Sequence, residues 1–252
     1  MARFDPQSYS GLDRLGRIAL SENFHMREFL YSEVAVQYQL RNVPEKARVN
    51  SAIEAGSKLC NLLLEPLQKQ FGRVHVRSGY RSLEVNAAGK KHNCATDNRG
   101  FHTWDYPSEN NGIGATACIS VPSISKAILA GMVPYESIAW WVHDNLPAWS
   151  HLEFFATPEH SDEVCFNIGW LAQPLKRRPS RRGVAKAILH TRIPSAAERA
   201  VFSQSLVNAC GSVEIIVRED KGDPQKRAAK QVDYTARLAN PVAREEVGKP
   251  VA

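Results

Sequence analysis

Nowhere in the 252 residues do eighteen apolar side chains follow one another, and the opening MARFDPQSYSGLDRL has no apolar run behind its charges. The first absence excludes a membrane-spanning helix from the reading and the second a secretory signal. The expected location is therefore the cytoplasm, with a phage or virion setting left open. Five cysteines, Cys60, Cys94, Cys118, Cys165 and Cys210, are an odd number at wide and irregular spacing. That pattern does not suit a disulfide framework, so reduced thiols are expected. An excess of one charge is missing from most of the chain: residues 1–170 hold 16 Lys/Arg against 18 Asp/Glu, and the net +6 comes from residues 171–252, with 16 against 8. A solvated tail or a contact with a polyanion both suit such a basic third.

What is present is a hydrophobic content of 43%, enough for a sizeable core. Residues 1–19 read as a mobile start. HMREFLYSEVAVQYQL reads as a short amphipathic helix on Met26, Phe29, Leu30 and Val34. KARVNSAIEAGSKLCNLLLEPLQKQFG reads as a longer one on Val49, Ile53, Leu59, Leu62, Leu63 and Leu67, with Pro66 kinking it near the end or marking its last turn and Gly72 as the stop. RVHVRSGY alternates as a strand does, RSLEVNAAG is a short helix, and residues 89–113 form a long polar loop, of a length that is functional or disordered inside a compact domain. ATACISV reads as a buried strand, SISKAILAGM as a helix ended by Gly131, and YESIAWWVH and AWSHLEFFA as two antiparallel strands. Strands that follow helices in blocks give an α+β class. A main domain over 20–170 is followed by a basic linker at 171–183. An α/β extension at 184–220 is expected to run VAKAILH strand, PSAAERAVFSQSLVNACG helix, SVEIIVRED strand. The polar residues 221–252 read as a disordered tail.

FHTWDYPSENNGIGATACISVP holds the candidate chemistry. His102 and Cys118 lie either side of a loop rich in Ser, Asn and Gly, and His151 in WSHLEFF supplies a third ligand type. Three such ligands with one open position make a catalytic zinc site. Cys118 also reads as an ordinary buried strand cysteine. Glu109, and the His92/Cys94 pair in KKHNC, are alternative donors. Trp149, His151 and Glu153 share one strand face, which makes Glu153 a candidate general base or else a solvated carboxylate. His143, Asp144 and Glu136 are further candidates.

LSENFHMREFL, LLLEPLQKQFG, VRSGYRSLEVNAA and GATACISVP, in that order, resemble the zinc D-Ala-D-Ala carboxypeptidase family, which includes phage endolysins and the hedgehog domain. The match covers roughly residues 20–155. It implies a small antiparallel sheet with helices packed on one side, and zinc, or Fe(II) in its place, held by His102, Cys118 and His151. Cys118 stands where the family has Asp, and Trp141 where it has the catalytic Glu. Arg81, with Ser78 and Tyr80 beside it in SGYRS, falls where the family grips a substrate carboxylate; a structural ion pair is the other reading of Arg81. The resemblance implies a metal-dependent hydrolase of a small amide or peptide bearing a carboxylate, peptidoglycan fragments among them. A binding or virion component that keeps the fold and a structural metal is the alternative.

Overall fold

A computed structural model describes residues 5–92, 94–95, 97–110, 112–155, 163–173, 180–182 and 194–222. The chain divides into two units, Met1–Cys210 and Gly211–Ala252. The first holds a mixed α/β fold around a small sheet whose strand order is β1-β2-β4-β3-β5. These strands are β1 (His75–Ser78), β2 (Gly114–Ser120), β3 (His151–Phe155), β4 (Cys165–Leu171) and β5 (Ser180–Arg182). Pairings among the first four are antiparallel, and β5 lies parallel to β3. Among the described residues no helix is long and apolar enough to cross a membrane.

Because side chains alternate along a strand, the register divides the sheet into two unlike faces. Ala115, Ala117, Ile119, Leu152, Phe154, Phe166 and Ile168 form one, and all are essentially unexposed. Helix α3 (Val49–Leu59) packs against β2 and β4 on that side. The other face carries Ser78, Thr116, Cys118, Ser120, Asn167, Gly169, His151 and Glu153. A polar face this rich needs partners for its donors and acceptors, which makes it the natural place for a site.

The helical stripe beneath the sheet is Val49, Ala52, Ala55, Gly56, Leu59, Cys60, Leu63, Leu64 and Leu67, whereas Leu62, expected within it, is 40% exposed. Helix α3 continues through one wide turn, Cys60–Leu64, into α4 (Glu65–Phe71). The wide turn stands just before Pro66, which cannot donate a backbone hydrogen bond, and this shifts the stripe by one position. Gly72 ends α4 with φ +84°. The expected single helix over HMREFLYSEVAVQYQL is instead a 3-10 turn, Met26–Phe29, and a short helix α2 (Glu33–Gln37). Ser32 breaks it by capping Ala35 N. Within 1–19, Tyr9–Gly16 forms helix α1, with Leu15 buried.

Three expectations about strands are corrected. YESIAWWVH is not a strand: Glu136–Asn145 is helical, with Ile138 through Val142 all buried, and an apolar run without period suits a buried helix as well as a strand. The antiparallel partner of β3 is therefore β4, whose sequence CFNIGWL the sequence reading passed over. SVEIIVRED is helical too, since the helix beginning at Ala196 runs to Gly222. No Pro interrupts it. VAKAILH and the tail beyond 222 lie outside the described residues. At the near end of this long helix Arg199 Nε reaches both carboxylate oxygens of Asp144, at 2.8 and 2.9 Å, and Leu206, Ala209 and Cys210 are buried.

Trp104 ties the long loop into the core. Its ring is fully buried against Phe29 and Tyr80, and its indole N–H donates to Thr116 O at 3.2 Å. Gly56 makes room for it, since a Cβ there would sit 2.7 Å from Trp104 Cζ3. Alanine in mid-helix is normally favoured over glycine by about 1 kcal/mol. Here the clash wins, and Gly56→Ala is expected to destabilise by roughly 1–3 kcal/mol in thermal or urea unfolding. Equal or greater stability in the alanine variant would disprove that glycine's role.

Candidate functional site

The loop residues Phe101 and His102 are fastened over the polar face by three hydrogen bonds. Thr116 N donates to Phe101 O at 2.9 Å, and Arg81 N to His102 O at 2.8 Å. His102 Nδ1 lies 2.7 Å from Gly79 O. A carbonyl can only accept, so Nδ1 carries the ring proton and Nε2 keeps its lone pair. His102 is 6% exposed. Burial, then the Arg81 charge, with His151 adding to it, push its pKa down to about 3, so the ring is neutral in ordinary conditions.

His151 opposes Gly169 and Glu153 opposes Asn167 across the β3–β4 ladder. His151 Nε2 and Glu153 Oε2 are 3.9 Å apart, and Phe101 packs edge-on against the His151 ring at 5.3 Å. Asn167 Nδ2 donates to Glu153 Oε2 at 3.1 Å. Glu153 is 8% exposed, so it is no solvated carboxylate. Gly169 leaves the gap beside His151 open: a Cβ there would come within 2.2 Å of Thr116 Oγ1 and 3.2 Å of His151 Cβ.

Arg81 borders the cluster from the β1 side. Its Nη2 donates to Ser78 Oγ at 3.2 Å and its Nη1 to Cys94 Sγ at 3.1 Å, while Nε is buried with no partner among the described residues. Among the described residues no carboxylate pairs with it, which removes the ion-pair reading there. A bulge between Val76 and Ser78 sets Ser78 opposite Cys118. Ser78, Cys118, Asn167 and Glu153 thus form one row across four strands.

Other candidates fall elsewhere. Tyr80 is 1% exposed, stacked edge-on with Trp104 and donating to Asp105 Oδ2 at 3.1 Å, so its side chain belongs to the core. His143, on the helix Glu136–Asn145, bonds Asp144 at 2.7 Å and packs against Trp140 and Trp149. Trp141 packs edge-on against Phe71. The His92/Cys94 pair splits, His92 meeting Tyr38 Oη at 3.2 Å and Cys94 meeting Arg81. Glu109 is exposed.

The donors fit a divalent metal in part. A neutral His102 with Nδ1 held by a carbonyl and Nε2 free is what a ligating histidine looks like. His151 stands close enough to act on its titration. Cys118 faces Cys165, and that hydrogen bond together with burial raises its pKa, so its thiol holds its proton unless a metal displaces it. Among the described residues no three His, Cys, Asp or Glu side chains are grouped to hold a metal ion, and the expected His102, Cys118 and His151 are not drawn together as one. Asn167, Thr116 and Gly169 are the site residues that the sequence reading missed; the alternation in CFNIGWL was the available signal for Asn167 and Gly169. No family model matches the chain, and no curated protein or solved structure matches it.

Two outcomes follow from this geometry. Gly169→Ala should lower the melting temperature through its contact with Thr116 Oγ1, and Gly169→Ala combined with Thr116→Ala should recover most of the loss; additive losses would show that the contact is not the cause. His102 takes up its proton only near pH 3 when folded and near 6.5 when unfolded. The unfolded chain therefore binds more protons between those values, and stability must fall as pH drops from 6.5 towards 3. Urea unfolding across that window should show a shallower slope in His102→Asn than in the wild type.

Proposed function

We propose that this chain is a divergent hydrolase of the D-Ala-D-Ala carboxypeptidase type, with the hedgehog-like form of the α+β fold, acting on a small amide or peptide through its carboxylate. One observation carries the reading: neutral His102, His151 and Glu153 stand together on the buried polar face, next to an Arg81 whose charge no described carboxylate neutralises. The resemblance of residues 20–155 to that family, which includes Arg81, His102 and His151, supports it.

Arg81 receives the carboxylate, for which a planar guanidinium with a free Nε is suited. Glu153, its Oε2 oriented by Asn167 and 3.9 Å from His151 Nε2, is the group that takes a proton from the attacking water. Phe101 covers one side of the His151 ring. His102 and His151 are the residues that would hold a zinc or iron(II) ion, which when bound polarises a carbonyl and makes water a stronger nucleophile at neutral pH.

A second reading, binding without turnover, is favoured by one feature. Trp141, at the position where the family has its catalytic glutamate, is packed into the core against Phe71.

Metal analysis of the purified protein, joined to a turnover screen on D-Ala-D-Ala peptides, peptidoglycan fragments and acyl-amino acids, separates the two. The hydrolase reading expects about one zinc or iron per chain, sharply reduced in His102→Ala and His151→Ala. Glu153→Gln should keep metal and fold yet lose roughly 10²–10⁴-fold in kcat, while Arg81→Ala should mainly raise KM. Tight binding that depends on Arg81, with no turnover across the panel, would establish the binding reading instead.

A further inference from the structure

The strand β4 lies beyond the residues that resemble the carboxypeptidase family, yet it runs through the middle of the candidate site. Its Asn167 stands between Cys118 on one neighbouring strand and Glu153 on the other. The amide cannot turn over: Nδ2 is fixed by its hydrogen bond to Glu153 Oε2, and the reverse orientation would set two oxygens against each other. Oδ1 is thereby left buried and without a partner among the described residues, in a side chain only 8% exposed. A buried carbonyl oxygen without a donor costs roughly 1–3 kcal/mol, so a position that keeps one open is suited to receive a donor from elsewhere.

The hydrogen-bonding character of the unpartnered atoms restricts what that donor belongs to. Arg81 Nε can only donate, and so asks for an acceptor such as a carboxylate; Asn167 Oδ1 can only accept, and so asks for an N–H. Ser78, which Arg81 touches, and Asn167 stand two strand spacings apart, about 10 Å between their backbones. A hydrogen bond of about 3 Å at each end leaves a gap that suits one or two residues of extended chain at about 3.3–3.6 Å each.

We propose that Asn167 is a specificity residue of this site: its Oδ1 accepts a backbone N–H from one of the last two residues of a peptide or acyl-amino acid whose terminal carboxylate is held by Arg81. The site then selects amides over esters of the same shape, because an ester places an oxygen against Oδ1. This rests on the carboxylate-bearing substrate class argued above and adds to it the demand for an N–H.

The probes are N-acetyl-D-alanyl-D-alanine and its two depsipeptide analogues, each with one backbone N–H replaced by oxygen, titrated calorimetrically against the full-length protein. Wild type should bind one of the analogues roughly ten- to hundred-fold more weakly than the parent, as loss of one buried hydrogen bond implies. Asn167→Leu should bind that analogue and the parent alike, whereas Arg81→Ala should weaken all three probes by a common factor. Wild type that binds both analogues as tightly as the parent overturns the role of Asn167 and leaves the carboxylate reading standing; so does an Asn167→Leu protein that keeps the preference. If none of the three binds to wild type, the carboxylate-bearing substrate class falls, and this inference with it. The analogue comparison uses unaltered protein, so its outcome does not depend on whether the leucine variant folds.

Discussion

The candidate site depends on how one loop is fastened to one sheet edge. Trp104, sunk into the core and donating to Thr116 O, fixes the chain just after His102; Thr116 N and Arg81 N grip the carbonyls of Phe101 and His102. Those bonds connect β2, the turn after β1 and the loop, so His102 is held by backbone groups on both sides and by Gly79 O at its ring. The constraint is geometric before it is chemical. A histidine this buried keeps its lone pair because desolvation and the neighbouring guanidinium both oppose the proton.

Much of this arrangement was legible in the sequence, for reasons that can be named. Period-2 alternation pointed to β1, the segment after the Asn145–Pro147 turn to β3 and the run before Pro122 to β2, and Gly72 and Gly131 stopped their helices with positive φ, as glycine permits. Ser78, Cys118, His151 and Glu153 were expected near one another, and the register does put all four on a single face. What failed did so where local pattern and tertiary context disagree. IAWWV is apolar on every side, so no periodicity could distinguish a buried helix from a strand, and the helix won because the sheet position next to β3 is taken by β4. Pairwise contacts were invisible for the same reason: Tyr80 reads as a site residue beside Arg81, yet its alternate direction sends it into the core against Trp104.

The thiols mark where sequence position and chemistry part. Cys118 occupies the row that runs from Ser78 to Glu153, but its proton is directed at Cys165, diagonally across the β2–β4 ladder, with Arg77 close to both sulfurs. One sulfur thereby holds its proton more firmly and the other less. Arg77 in turn is paired with Glu163, which also accepts from Ser120 Oγ at 2.6 Å. The polar face is thus continuous from the histidines to that ion pair, with Asn167 at its centre.

The position of β4 has a consequence for how the protein comes to exist. β2 and β3 meet only through β4, which the ribosome delivers some fifty residues after β2 and after β3 as well. Until residues 165–171 emerge and insert between two strands already made, the row from Ser78 to Glu153 is split into halves, each with an unpaired edge. At roughly 5–20 residues per second of synthesis that interval lasts seconds, and pairing across such sequence separations is slow by nature. Any ligand of this site therefore meets a receptor completed late, and a chain halted before residue 165 has His102 on one half and His151 with Glu153 on the other, with no strand to join them.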